Sequence, residues 1–122
     1  MIRRIKFASV AVSDQDRALE FYTSKLGFAV KTDQPMGPGM RWIELRIPGA
    51  ETSLVLFTPP GQEDRIGTKS NIVFGADDIE ATHAELVARG VVFDSPPTTQ
   101  PWGTFAAFSD PDGNQFVLSS RH

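Results

Sequence analysis

The second half of the chain repeats the first, and that repeat limits what it can fold into more than any other feature. Asp14 stands thirteen residues before Gly27 and Asp77 thirteen before Gly90, each glycine precedes an apolar residue, and the halves superpose at an offset of 63. A repeat of about 60 residues is too short to bury both faces of its own sheet, so pairing of the two copies is the expected remedy. In the first copy Phe7 to Val12 alternates as a half-buried strand, with Ala8, Val10 and Val12 on one face and Phe7, Ser9 and Ala11 on the other. Ser13 and Asp14 are capping residues for a helix near 15–26, where Ala18, Phe21, Tyr22, Lys25 and Leu26 recur at spacings of three and four. Gly27 ends that helix in the left-handed conformation.

Residues 34–39 hold two prolines and two glycines and predict a loop. Strands resume at Met40 to Ile47, with Ile43, Leu45 and Ile47 on one side and Trp42, Glu44 and Arg46 on the other, and again at Ser53 to Thr58. The polar stretch 59–69 reads as a linker, with Glu63-Asp64-Arg65 a solvated charge cluster. In the second copy Asn71 to Ala76 alternates as a strand, Asp77 with Glu80 resembles a capping box, and Ile79, His83, Leu86 and Val87 trace a helical stripe. Ser95 to Gly103, with three prolines and Trp102, reads as a lid or rim rather than a core element. Phe105 to Ser109 and Gln115 to Ser119 flank a tight turn at 110–114, too short to be a calcium loop.

Each half is therefore strand, helix, then two or three strands. The 122 residues predict one domain, 1–122, with a first module at about 1–60 and a second at about 68–122. The absence of cysteine excludes disulfides, thiolate metal sites and cysteine nucleophiles, and two histidines leave little for an imidazole-rich centre. Apolar runs reach only four residues, and the N-terminus has no apolar signal segment, so a soluble, cytoplasmic protein with no membrane partner is expected. A net charge of −3 with no basic run longer than Arg3-Arg4 argues against nucleic acid as a partner.

The segment Val12 to Phe28 reads V-x-D-x-x-R-A-L-x-F-Y-x-x-x-L-G-F, and 110–114 reads D-P-D-G-N. With the duplication, these motifs resemble the vicinal oxygen chelate superfamily, the group of glyoxalases, bleomycin resistance proteins and extradiol dioxygenases. The resemblance spans nearly the whole chain. It implies an α+β fold of two βαβββ modules forming a cup-shaped mixed sheet with helices on the outer face, usually in a homodimer. It also implies, in the enzymatic members, a divalent metal held by His, Glu or Gln at four positions. Those positions fall here on Phe7, Asn71, Leu56 and Val117, and a slip of one residue brings in Lys6, Ala8, Val55, Phe57, Phe116 or Leu118, which are equally poor ligands. A divalent ion needs oxygen or nitrogen donors at about 2.0 to 2.6 Å, so no metal and no other cofactor is expected. His83, mid-helix, and His122, at the terminus, read as structural and terminal residues.

With apolar groups at the metal positions, the cup implied by the resemblance becomes a small-molecule pocket. Phe7, Leu56 and Val117 are its expected floor, Trp42 and Trp102 its stacking faces for an aromatic or cationic ligand, Glu44 a countercharge and Asn71 an orienting group. Tryptophans at such positions are more often packing or dimer-interface residues, and that reading of Trp42 and Trp102 stands beside the first. Glu44 is also the one candidate catalytic residue: desolvation on the groove face would raise its pKa toward the range of a general base. The plainer alternative pairs it with Arg41 or Arg46. The leading expectation is a metal-independent, homodimeric protein that sequesters a small molecule, similar to bleomycin resistance proteins. The rivals are a glyoxalase-like lyase, isomerase or dioxygenase with an unconventional site, and a groove used for protein association.

Overall fold

Residues 1–120 are described in a computed structural model, which divides into two compact units, Met1–Gly67 and Thr68–His122. His122, an expected terminal residue, lies outside the described residues.

In the first unit β1 (Phe7–Val10) is followed by α1 (Gln15–Glu20), β2 (Ala29–Pro35), β3 (Arg41–Arg46) and β4 (Ser53–Leu56). The strands lie in the order β1-β4-β3-β2, with β1 parallel to β4 and the other pairs antiparallel. Register follows from alternation: Ile43 lies opposite Leu56, Leu45 opposite Leu54, and Val10 beside Leu56. These residues share one face, all buried, and α1 packs against β4 with Ala18 buried. Burying one apolar stripe of a helix on one face of a sheet is the main stabilising arrangement here.

The helix expected over 15–26 is α-helical only to Glu20. From Phe21 to Lys25 it widens into a π turn, in which Leu26 N–H donates to the Phe21 carbonyl at 3.2 Å. Phe21 and Tyr22, adjacent in sequence, are both buried, with rings edge to face at 5.0 Å. Asp14 caps the start, its carboxylate accepting from Arg17 N–H at 3.0 Å.

The second unit repeats the plan with β5 (Lys69–Ala76), α2 (Ile79–Ala88), β6 (Val92–Gln100), β7 (Gly103–Ser109) and β8 (Gln115–Ser120), ordered β5-β8-β7-β6. Both units are thus βαβββ modules with mixed four-stranded sheets, and the fold class is α+β. Phe74, Phe93, Phe108 and Phe116 form the aromatic core of this unit, with neighbouring centroids at 5.3 to 6.2 Å, and His83 sets its ring edge against Phe93 at 4.5 Å.

Three expectations change. The cap of α2 is Asp78, which accepts from Ala81 N–H at 3.1 Å, so Asp77 and Glu80 form no capping box. From cap to glycine α2 therefore takes one residue fewer than the first helix, and the π turn absorbs the difference, as an inserted residue in a helix does. Residues 95–100 are not a lid but most of β6, paired with β7. Pro96 and Pro97 sit at a register irregularity of this edge strand, where no ladder donor is required. Finally, β2 continues through Gln34 and Pro35, which leaves the loop only its glycine-rich half, closed by Met36 N–H on the Met40 carbonyl at 2.9 Å. The turn at 110–114 is as expected: Asp110 is buried, and its carboxylate accepts from the Asp112 and Asn114 N–H groups at 2.9 Å.

Candidate functional site

Strand pleating places every second residue of β1, β3 and β4 on the sheet face opposite α1. The registers put Phe7 beside Ser53, Ser53 opposite Arg46, and Val55 opposite Glu44, so these residues and Trp42 share that face. Three rings meet on it: Trp42 lies 5.3 Å from Phe7 in an edge-on arrangement and 5.7 Å from Phe57, the residue that continues β4. Phe7 is 38 % exposed and the other two are half-buried, so the cluster presents ring surface to solvent.

Glu44 stands beside these rings, only 7 % exposed. The Trp42 indole N–H donates to its Oε1 at 3.4 Å, the Ser53 hydroxyl adds a hydrogen bond, and Lys31 Nζ lies 3.3 Å from Oε2. Oε2 has no well-aligned hydrogen bond, and the Lys31 ammonium at 3.3 Å is the group that compensates it. Burial pushes the Glu44 pKa up, but the Ser53, Lys31 and Trp42 donors and the lysine charge outweigh it, and the carboxyl sits below its ordinary range. Two expectations are corrected. Glu44 is not raised toward a general base, and its partner is Lys31 rather than Arg41 or Arg46.

Lys31 reaches Glu44 because β2 carries a bulge. Val30 lies opposite Leu45 and Thr32 opposite Glu44, so Lys31 is an extra residue between two adjacent positions of β3. Arg41 is engaged elsewhere, by both carboxylate oxygens of Asp33 at 3.1 and 3.0 Å and by Asp16. That fork lowers the Asp33 pKa and raises that of Arg41.

Leu56 does not stand with Phe7. It is 0 % exposed and lies on the α1 side beside Ile43, while Val55 occupies the Phe7 face. The second unit shows the same register: Val117 lies opposite Ala107 as Val55 lies opposite Glu44, so the counterpart of Val117 is Val55. A strand shifted by one residue turns every side chain to the other face, which is how the expectation missed. Val117 is half-buried on the face opposite α2, and Asn71 is exposed within a register irregularity of β5. Trp102 is 66 % exposed at the two-residue tip between β6 and β7. The first unit thus brings Phe7, Trp42 and Glu44 together and adds Phe57, Val55, Ser53 and Lys31, which sequence reasoning overlooked. Alternation through Phe57 was a signal for that ring; nothing local announces the bulge at Lys31.

A cleft of about 180 Å³ opens at one end of the same unit, lined by Val12, Ser13, Gln15, Met40, Phe57 and Thr58 among others. Its polar groups are structural: Gln15 Nε2 donates to the Arg41 and Leu56 carbonyls at 2.6 and 2.9 Å and Oε1 accepts from Arg41 N–H, while Thr58 Oγ1 bonds both backbone groups of Val12 at 2.9 Å.

A profile of the Glyoxalase/Bleomycin resistance protein/Dioxygenase superfamily matches residues 4–118. The chain belongs to this superfamily. Among superfamily structures, one from Sphaerobacter thermophilus DSM 20745 shares 38 % identity at a TM-score of 0.89, covering 98 % of each chain. TnmS3, described as an antibiotic binding protein from Streptomyces sp. CB03234, shares 38 % identity at a TM-score of 0.87, covering 99 % of this chain and 98 % of its own. The uncharacterized protein YetH of Bacillus subtilis (strain 168) is 41 % identical over 118 residues, 97 % of this chain and 98 % of YetH.

The metal of the superfamily's enzymes does not fit the residues here. Phe7, Val55 or Leu56, and Val117 offer no donor, Asn71 offers one amide, and Glu44 is committed to Lys31, Ser53 and Trp42. Among the described residues no group of three or more His, Cys, Asp and Glu side chains is placed to hold a metal ion, and no helix is long and apolar enough to cross a membrane.

Proposed function

We propose that this protein binds a small planar aromatic molecule on the sheet face of its first unit opposite α1 and sequesters it unchanged. The observation that carries the reading is the cluster of Phe7, Trp42 and Phe57, in which the Trp42 ring lies 5.3 Å from Phe7 and 5.7 Å from Phe57 and the rings are partly open to solvent. Ring faces already fixed by packing stack on a ligand at little cost in side-chain freedom. Likeness over nearly the whole chain to TnmS3, described as an antibiotic binding protein, supports binding as the activity. The lowered pKa of Glu44 supports sequestration over conversion, since a carboxylate stabilised in its ionised form is a weak proton acceptor near neutral pH.

The test is a fluorescence titration with phenylnaphthylamine, whose emission rises on entering an apolar site. Binding by the wild type and a loss of about tenfold in Trp42→Ala and in Phe57→Ala is the expected result, the size following from about 1–3 kcal/mol per stacked ring. Affinity unchanged in both variants would overturn the proposal.

A further inference from the structure

The charges that this face shows to a ligand are positive. Its one carboxylate, Glu44, is buried and turned toward Trp42, Ser53 and Lys31. The Lys31 side chain is 46 % exposed, and an ammonium carries three donors, so its contact with Oε2 leaves donors directed outward. Arg46 lies on the same face opposite Ser53, is exposed, and forms no ion pair among the described residues. The face is therefore divided, with rings contributed by β1, β3 and β4 and cationic heads at its β2 and β3 side. Asp33, the one acidic residue of β2, is held by Arg41 and lies level with Ile43, whose side chain faces α1.

We infer that the ligand is an aromatic acid, whose carboxylate, sulfonate or phenolate is received by Lys31 and Arg46 while its rings lie on Phe7, Trp42 and Phe57. This rests on the aromatic-binding reading above and reverses the charge expected of the ligand from the sequence. Glu44 serves as the counterion that holds Lys31 in place, a positioning residue out of the ligand's reach. The bulge is the structural device: in a regular β2 the residue between Val30 and Thr32 would not exist, and the face would carry the buried carboxylate without its lysine.

Anilinonaphthalene sulfonate and its uncharged parent phenylnaphthylamine share one ring skeleton and isolate the charge. At low salt the sulfonate is expected to bind about fivefold more tightly than the parent, the scale of partly exposed ion pairs, with the preference shrinking at about 0.5 M NaCl. The ratio of the two affinities is read, because a change in packing moves both. Arg46→Gln and the double variant Lys31→Gln/Glu44→Gln, which removes the pair without stranding a buried charge, are each expected to lower the ratio at least twofold, whereas Lys31→Arg retains it. Equal or tighter binding of the parent in the wild type overturns the inference and leaves the aromatic reading standing, as does a ratio unmoved by both variants. If neither probe binds, both are overturned.

Discussion

Glu44 keeps its charge at 7 % exposure because three donors from three different residues face it: the Trp42 indole, the Ser53 hydroxyl and the Lys31 ammonium. That the side chain belongs to the face opposite the helix was legible from the alternation Trp42, Glu44, Arg46. The direction of its pKa was not, since Lys31 and Ser53 arrive from neighbouring strands. A folded pKa below the ordinary value contributes stability that is present in full above about pH 4.5 and lost as pH falls through the folded value. Asp33, lowered by its Arg41 fork, and Asp94, lowered by Gln115 and Ser109, act in the same sense at slightly lower pH. Glu44→Gln is therefore expected to cost about 1–3 kcal/mol at neutral pH and to flatten the acid side of the stability curve. Urea unfolding of both proteins from about pH 7 to about pH 3 checks this: the gap between them should narrow below about pH 4.5.

At the scale of elements, two single-residue insertions shape the first unit. The π turn at Phe21–Lys25 lengthens the first helix relative to α2, and the bulge at Lys31 lengthens β2. Their consequences differ. Deleting Lys31 removes the extra residue and leaves Thr32 opposite Glu44, so circular dichroism should stay native while stability falls by about 1–3 kcal/mol from the carboxylate left without its cation. A collapse of the fold on that deletion would show that the bulge sets the register. Gln15, at the start of α1, ties the Arg41 backbone to the Leu56 carbonyl across β3 and β4 through three hydrogen bonds. Gln15→Ala should lower the unfolding free energy by about 2–4 kcal/mol in urea, because the backbone groups it serves are left unpaired. Nothing in a helix-start pattern marks Gln15 for this role; its partners lie 26 and 41 residues away.

Across the whole molecule the duplication is visible in the registers themselves: Thr32 lies opposite Glu44 as Ser95 lies opposite Ala107, and each follows a bulge residue, Lys31 in one unit and Asp94 in the other. The units have diverged in charge at that shared position, which is why the cationic edge belongs to the first alone. In each four-stranded sheet two strands are outermost, β1 and β2 in one and β5 and β6 in the other. Outermost strands favour strand-to-strand association of copies. Sedimentation velocity at micromolar concentration is expected to give twice the 13.4 kDa chain mass, and a monomer would refute the homodimer expected from the sequence.

Local chemistry determined a great deal by itself: the repeat, the strands marked by alternation, the helix stop at Gly27, the Asp110 turn and the poverty of metal donors are all properties of neighbouring residues. Tertiary structure decided what depends on a partner strand. Whether Leu56 or Val55 stands beside Phe7, and where Lys31 points, are each settled by one residue of register. A one-residue step reverses a side chain on a strand, and its direction is set by hydrogen bonds to chain far away in sequence.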